Sequence, residues 1–145
     1  MRVVNLRKLS GEPEPALVRV VDLELPCGFP SPSQDYQTRE MDLNEILMPN
    51  RTSCYIGRVS GHSMTPVGIF DGDEIIIDRS IRPQDGHVVV ATLDGEQTVK
   101  RLRRTPTGAL LFPDNPDYPP IEVPELSELI IWGVVTRCLH SVGRA

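Results

Sequence analysis

The sequence contains no apolar run long enough to cross a membrane, since none approaches the roughly 18–20 residues that a spanning helix needs. It also lacks a secretory signal pattern, because the first ten residues are followed by Gly11-Glu12-Pro13-Glu14-Pro15 instead of an apolar segment. We therefore expect a cytoplasmic protein that has no membrane partner.

Cysteine is scarce. Cys27, Cys54 and Cys138 are far apart in the sequence, odd in number, and include no Cys-x-x-Cys pair. This pattern supports neither a zinc site nor a disulfide framework. We expect three free thiols in a reducing compartment, and neither a metal nor another cofactor.

Positive charge is not in excess, because 15 Lys and Arg side chains stand against 20 Asp and Glu, for a formal net charge of −5. Direct binding of nucleic acid relies on a basic face that neutralises phosphates. The charge balance therefore argues against direct nucleic-acid binding, although it leaves room for a local basic patch.

Lysine is also rare, since only Lys8 and Lys100 are found among the 15 basic residues. Arginine stays protonated and cannot act as a base, whereas lysine can do so when burial lowers its pKa. In a strand from residue 96 to about 103, alternation places Lys100 with Thr98 and Leu102 on the less charged face. Lys100 is therefore a candidate general base, and a solvated surface lysine is the alternative.

The three histidines are weaker candidates for a general base. His62 is adjacent to Ser63, and the side chains of neighbouring residues usually diverge. His87 opens a predicted strand, and His140 lies in a polar tail. None of the three histidines has an evident orienting acid. A histidine-based triad is therefore disfavoured, and all three are expected to be exposed or edge side chains.

The chain divides into a predicted arm over residues 1–40 and a predicted body over residues 41–145. The arm is rich in proline, which breaks helices and central strands, although residues 17–21 could form an edge strand. A capping pattern at Asp42 predicts a short helix. The body then reads as short strands, with Asp94-Gly95 as a hairpin turn. The predicted strands cover residues 54–60, 74–77, 86–93, 96–103, 109–112, 121–123 and 129–136.

Ser63 follows the first of these strands. Gly61 permits a sharp bend before it, and Pro66 suits the first turn of a helix after it. A serine at such a junction has free backbone N–H groups beside it that could form an oxyanion hole. The alternative is an ordinary serine N-cap.

Four blocks of the sequence carry a family resemblance. They are Ser60-Gly61-His62-Ser63-Met64, Asp71-Gly72-Asp73, Asp94-Gly95-Glu96 and Thr98-Val99-Lys100-Arg101-Leu102. In order and spacing the blocks resemble those of the LexA/UmuD family of self-cleaving Ser–Lys peptidases. The resemblance implies a mostly β, LexA/signal-peptidase-like antiparallel sheet fold with an extended N-terminal arm and one or two short helices. It also implies Ser63 as nucleophile and Lys100 as general base, with the backbone N–H groups of Ser63 and His62 as the oxyanion hole.

The segment Pro26-Cys27-Gly28-Phe29-Pro30 resembles the self-cleavage segment of the UmuD branch. The implied scissile bond is Cys27–Gly28, whereas from the residues alone this segment reads as a plain loop. The resemblance further implies a homodimer, cleavage stimulated by the RecA–single-stranded DNA filament in the SOS response, and a shortened form that serves a UmuC-type translesion polymerase.

Three other functions are weighed against this one. A LexA-type repressor needs a helix-turn-helix, whereas only 27 proline-broken residues precede the expected cut. A signal peptidase needs a membrane anchor, whereas no apolar run of this sequence is long enough to span a membrane. The alternative that stays open is a peptidase-like domain that acts mainly as a non-catalytic polymerase-binding module.

Overall fold

The computed structural model describes residues 1–9, 11–22, 37–124 and 130–143. The chain divides into two compact units, of which the larger comprises Met1–Ser10 with Asn50–Ala145 and the smaller comprises Gly11–Pro49. This division differs from the predicted boundary at residue 40/41. Residues Arg2–Lys8 belong with the body because they form a strand of its sheet.

The described residues form ten strands, one short helix and two 3₁₀ turns. In chain order these are β1 (Arg2–Lys8), β2 (Leu17–Asp22), β3 (Gln37–Asp42), α1 (Leu43–Leu47), a 3₁₀ turn (Arg51–Ser53), β4 (Cys54–Ser60), a 3₁₀ turn (Thr65–Val67), β5 (Glu74–Asp78), β6 (Val88–Leu93), β7 (Glu96–Thr105), β8 (Gly108–Phe112), β9 (Ile121–Pro124) and β10 (Ile131–Leu139). The predicted mostly β fold is confirmed. None of the described helices is long and apolar enough to cross a membrane.

The smaller unit is a two-stranded antiparallel pair followed by the helix. Strand β2 pairs with β3 over its whole length, from Leu17 opposite Asp42 to Asp22 opposite Gln37. Helix α1 starts directly after β3, and Oδ1 of Asp42 accepts the Asn44 N–H at 3.0 Å. The predicted edge strand and the predicted helix start are thus confirmed, whereas the polar strand β3 was not predicted.

The larger unit is one antiparallel sheet in the order β1-β4-β5-β10-β6-β7-β8-β9. Strand β1 pairs with β4 and also touches β7, through Arg2 opposite Thr98, so the first six strands of this order form a barrel-like ring. Strands β8 and β9 extend β7 beyond the ring. The predicted Asp94-Gly95 hairpin joins β6 to β7, with φ of 51° and 80° at its two residues, as a two-residue turn of this kind requires.

Strand β1 carries a bulge that decides which of its side chains face the core. Asn5 has a φ of 56°, and the register between β1 and β4 shifts by one residue between Val4 and Arg7. Asparagine tolerates this left-handed conformation better than most residues. As a result Val3 and Leu6, three residues apart, both pack against the buried core.

Two apolar clusters lie on opposite faces of the sheet. One contains Val59, Met64, Ile69, Ile75, Ile77, Val90 and Val99, and the other contains Val89, Ala91, Leu102, Leu111 and Val134. Because successive strand residues point to opposite faces, Val89 and Val90 join different clusters. Strands β6 and β7 are therefore buried on both sides, which sets the environment of Lys100.

Candidate active site

Ser63 lies in the turn between β4 and the second 3₁₀ turn, as its sequence context predicted. Gly61 takes a φ of 114°, a conformation that favours glycine, and the chain bends there out of the strand. Pro66 stands in the first positions of the 3₁₀ turn that follows. Only 2% of Ser63 is exposed, so the hydroxyl is held inside the protein rather than at its surface.

The turn at residues 71–73 fastens the end of β4 that leads to Ser63. Oδ1 of Asp71 accepts the Gly61 N–H at 2.9 Å. The Val59 N–H donates to the Asp73 carbonyl and the Gly72 N–H donates to the Val59 carbonyl, both at 2.9 Å. These backbone bonds explain why an Asp-Gly-Asp block accompanies the serine block, because they fix the bend that presents the hydroxyl.

Lys100 lies on β7 and is only 9% exposed. It stands opposite Val89, a member of the second apolar cluster, in the β6–β7 ladder. Burial lowers the pKa of Lys100 because it disfavours the charged ammonium. Among the described residues no carboxylate forms an ion pair with it. The sequence-based expectation of a desolvated lysine is met by this environment.

Met1 connects the two candidate residues. Its α-amino nitrogen donates to Oγ of Ser63 at 2.8 Å, and its carbonyl accepts the N–H of Val99, the neighbour of Lys100, at 3.1 Å. Burial, and then the positive charge of Lys100, lower the pKa of the Met1 α-amino group. Met1 thus bonds to Ser63 directly and lies close enough to Lys100 for the lysine charge to act on its α-amino group.

The histidines are not bonded to Ser63. His62 is exposed, and His87 accepts the Gln84 N–H at its Nδ1. His140, however, does have an acidic partner, because its Nδ1 lies 2.6 Å from Oδ1 of Asp73. The expectation that no histidine has an orienting acid was therefore wrong for His140. Residues 73 and 140 are distant in sequence and meet only because β10 runs beside β5.

Asp73 is the centre of a small polar cluster with Cys138 and His140. Burial alone would raise the pKa of Asp73, but hydrogen bonds from the Phe70 N–H, His140 and Cys138 outweigh burial and bring it below the ordinary value. Burial and then Asp73 itself raise the pKa of Cys138 to about 12, so this thiol stays protonated. Because both the imidazole and the thiol point at one carboxylate, the cluster is not arranged as a nucleophile–base pair.

The catalytic roles of Ser63 and Lys100, the oxyanion hole and the cleavage site all stay predictions. Within the described residues no hydrogen bond is donated by the N–H of His62 or by that of Ser63, the groups expected to hold the oxyanion. The expected scissile bond between Cys27 and Gly28 lies outside the described residues. No group of three His, Cys, Asp or Glu side chains in the described part of the chain could hold a metal ion.

The chain is similar to one peptidase family and to several known proteins. The family model described as Peptidase S24-like matches residues 19–136. Protein SamA of Salmonella typhimurium is 44% identical over 115 residues, which cover 79% of each chain. Protein MucA of Escherichia coli is 42% identical over 114 residues, covering 78% of this chain and 77% of MucA. The LexA repressor of Delftia acidovorans is 39% identical over 115 residues, which cover 79% of this chain but 51% of the repressor.

Proposed function

The chain belongs to the peptidase S24-like family and is UmuD-like, and from this premise we propose that it is a self-cleaving serine peptidase that cuts its own Cys27–Gly28 bond. The observation that carries the proposal is that Lys100 is buried, has a lowered pKa and has no carboxylate partner among the described residues. Its neighbour Val99 bonds to Met1, which also bonds to Ser63. A lysine in this state can accept a proton, which a solvated lysine near neutral pH cannot do efficiently.

The proposed reaction begins with neutral Lys100 accepting the proton of the Ser63 hydroxyl. Oγ of Ser63 then forms a bond to the carbonyl carbon of Cys27, and the backbone N–H groups of His62 and Ser63 hold the resulting oxyanion. When the bond to Gly28 breaks, Lys100 gives its proton to the departing amine. Water, which gives a proton to Lys100, next attacks the acyl-enzyme. The ester bond to Ser63 breaks, Cys27 leaves with a terminal carboxyl group, and Lys100 returns its proton to Oγ of Ser63.

The cellular role that we propose is in SOS mutagenesis. The RecA–single-stranded DNA filament would stimulate cleavage, and the shortened chain 28–145 would act as a homodimeric accessory subunit of a UmuC-type translesion polymerase in the cytoplasm. The similarity to the UmuD-like proteins SamA and MucA supports the SOS part of this role.

Mass spectrometry of the purified chain after incubation at alkaline pH tests the peptidase function and its site together. We expect two fragments, residues 1–27 and 28–145. Ser63→Ala and Lys100→Ala should each lower the cleavage rate by about 10³-fold or more, since neither member of such a pair works alone. Ser141→Ala is a matched control on an exposed residue and should be cut normally. Circular dichroism checks that each variant is folded, and normal cleavage of a folded Ser63→Ala or Lys100→Ala chain would contradict the proposal.

A further inference from the structure

Strand β1 lies between β4 and β7, the two strands that lead to the candidate active residues. We call this position between β4 and β7 the seam. On one side Arg2 and Val3 pair with Ser60 and Val59 of β4, the strand that ends just before Ser63. On the other side Arg2 stands opposite Thr98 of β7, two residues from Lys100. Without β1, the described sheet has no strand that joins β4 to β7.

The start of β1 also occupies the space next to the nucleophile. The Met1 α-amino nitrogen is 2.8 Å from Oγ of Ser63, while the Met1 carbonyl accepts the Val99 N–H. A peptide that is to be cut must bring its carbonyl carbon to within about 3–3.5 Å of the same oxygen. Residue 1 and a scissile peptide therefore compete for one place.

The contacts of β1 are those of a strand that can be exchanged. Its inward side chains, Val3 and Leu6, are only partly buried, and its bulge at Asn5 interrupts the ladder with β4. Its ion pairs, Arg7–Glu74 at 2.9 Å and Arg2–Glu96 at 3.5 Å, are solvent-exposed. Exposed pairs of this kind contribute little to stability. An extended peptide could take over the same edge hydrogen bonds, since these involve only backbone groups.

We infer that β1 is an exchangeable inhibitor of its own active site, because residues 1–6 occupy the seam that an extended peptide must enter to reach Ser63. The inference rests on the proposed peptidase function and names a regulation of that same site. Cleavage in the absence of an activator is then limited by departure of β1, and whatever stimulates cleavage does so by favouring the exchange of strands.

A pair of substitutions on β1 tests this inference in the full chain. Val3 faces the core and Val4 faces outward, with 38% of Val4 exposed. Val3→Asp places a carboxylate against the core and should release β1, whereas Val4→Asp adds the same charge on the solvent side. We expect the unassisted rate of self-cleavage to rise about tenfold in Val3→Asp and to change by less than about twofold in Val4→Asp.

Gly57→Ala is a second variant that leaves β1 unchanged in sequence. A Cβ at residue 57 of β4 would lie 2.6 Å from Cγ1 of Val3 and 3.4 Å from Cδ1 of Leu6, so the added methyl group presses on β1. This variant should also be cut faster than the wild-type chain. A synthetic peptide of residues 1–9, added to either variant, should slow cleavage in a saturable manner, and the same peptide carrying Val3→Asp should not.

Hydrogen exchange of residues 1–9 in a Ser63→Ala background reports the release of β1 without any cleavage. Faster exchange in Val3→Asp and Gly57→Ala, together with faster cleavage of the corresponding cuttable chains, supports the inference. If β1 is released but the cleavage rate is unchanged, the inference is overturned while the peptidase function stays intact. The same holds if neither variant releases β1. Absence of cleavage in every chain, the wild type included, would instead refute the peptidase function and the inference with it.

Discussion

The protonation state of Lys100 is central to the proposed chemistry. The side chain is buried on β7, and no carboxylate in the described residues neutralises its charge. Desolvation favours the neutral amine, which is the form that can take a proton from Ser63. Arginine at this position would keep its charge under the same conditions. The proposed role therefore requires lysine rather than arginine at position 100, in a chain whose 15 basic residues include only two lysines.

The rate of unassisted cleavage should rise with pH. Because only neutral Lys100 is active, the rate should increase about tenfold per pH unit below its pKa and level off above it. Burial lowers that pKa, so the plateau should begin below the value of about 10.4 for a free lysine. The measurement is the first-order appearance of residues 28–145 between pH 6 and 10, with folding checked at each pH.

Lys100→Arg is the control for this profile and should remain uncut throughout the pH range. A histidine base predicts a different profile, with a rise centred near pH 6.5 and a plateau by about pH 8. A plateau below pH 8 would therefore contradict Lys100 as the base. It would reopen the case for His62, which is next to Ser63, or for His87.

At Gly133 the backbone of strand β10 packs closely against side chains of the neighbouring strand β5 and the residue after it. A Cβ on Gly133 would lie 2.7 Å from Cγ2 of Ile77 and 3.4 Å from Cγ of Arg79. Ile77 is fully buried and branched at Cβ, so it has little freedom to move away. Glycine at position 133 is therefore needed for close packing, in a strand that also bulges between Ile131 and Gly133.

Gly133→Ala should destabilise the larger unit by about 1–3 kcal/mol, the usual cost of overpacking a core. Gly143→Ala is the matched control, because nothing lies within 4 Å of a Cβ there, and it should change stability by less than about 0.5 kcal/mol. Denaturant unfolding followed by the fluorescence of Trp132, the single tryptophan, measures both variants in a Ser63→Ala background that keeps the chain intact. Equal stability of the two variants would contradict this prediction, because it would mean that Ile77 moves aside without lowering the free energy of unfolding.

Cleavage at Cys27–Gly28 would change the whole molecule rather than trim its end. The released portion would contain β1, a strand of the main sheet, and β2, the partner of β3. The chain 28–145 would thus lose the strand between β4 and β7 and leave the edge of β3 unpaired. Such exposed strand edges are ready to pair with another chain, which is consistent with the proposed role of the shortened form in an assembly.

Gly28→Glu should fold and remain uncut. The proposed cleft must admit the backbone closely after the scissile bond, and a side chain at residue 28 would prevent this. Ser33→Glu adds the same charge five residues further along and should be cut at close to the normal rate. Electrophoresis and intact-mass measurement during alkaline incubation compare the two chains. Cleavage of Gly28→Glu at an unchanged rate would show that the scissile bond lies elsewhere.

Much of the fold follows from patterns that are local in the sequence. Strand β4, the buried run of β5, the Asp94-Gly95 hairpin and the start of α1 were all predicted from residues close together in the chain. The same holds for Ser63 at a strand–turn junction and for Lys100 on an apolar face, although only the family resemblance joined them into one site. These features could be predicted because alternation, turn conformation and helix capping depend on immediate neighbours.

The remaining features depend on contacts between residues that are far apart in the chain. Strand β1 is mostly polar and bulged, so its strand character comes from pairing with β4 and β7, more than 45 residues away. The contact of Met1 with Ser63 and that of His140 with Asp73 arise in the same way. No local pattern encodes such contacts, because they exist only once the closed order of the sheet has brought distant backbones within hydrogen-bonding distance.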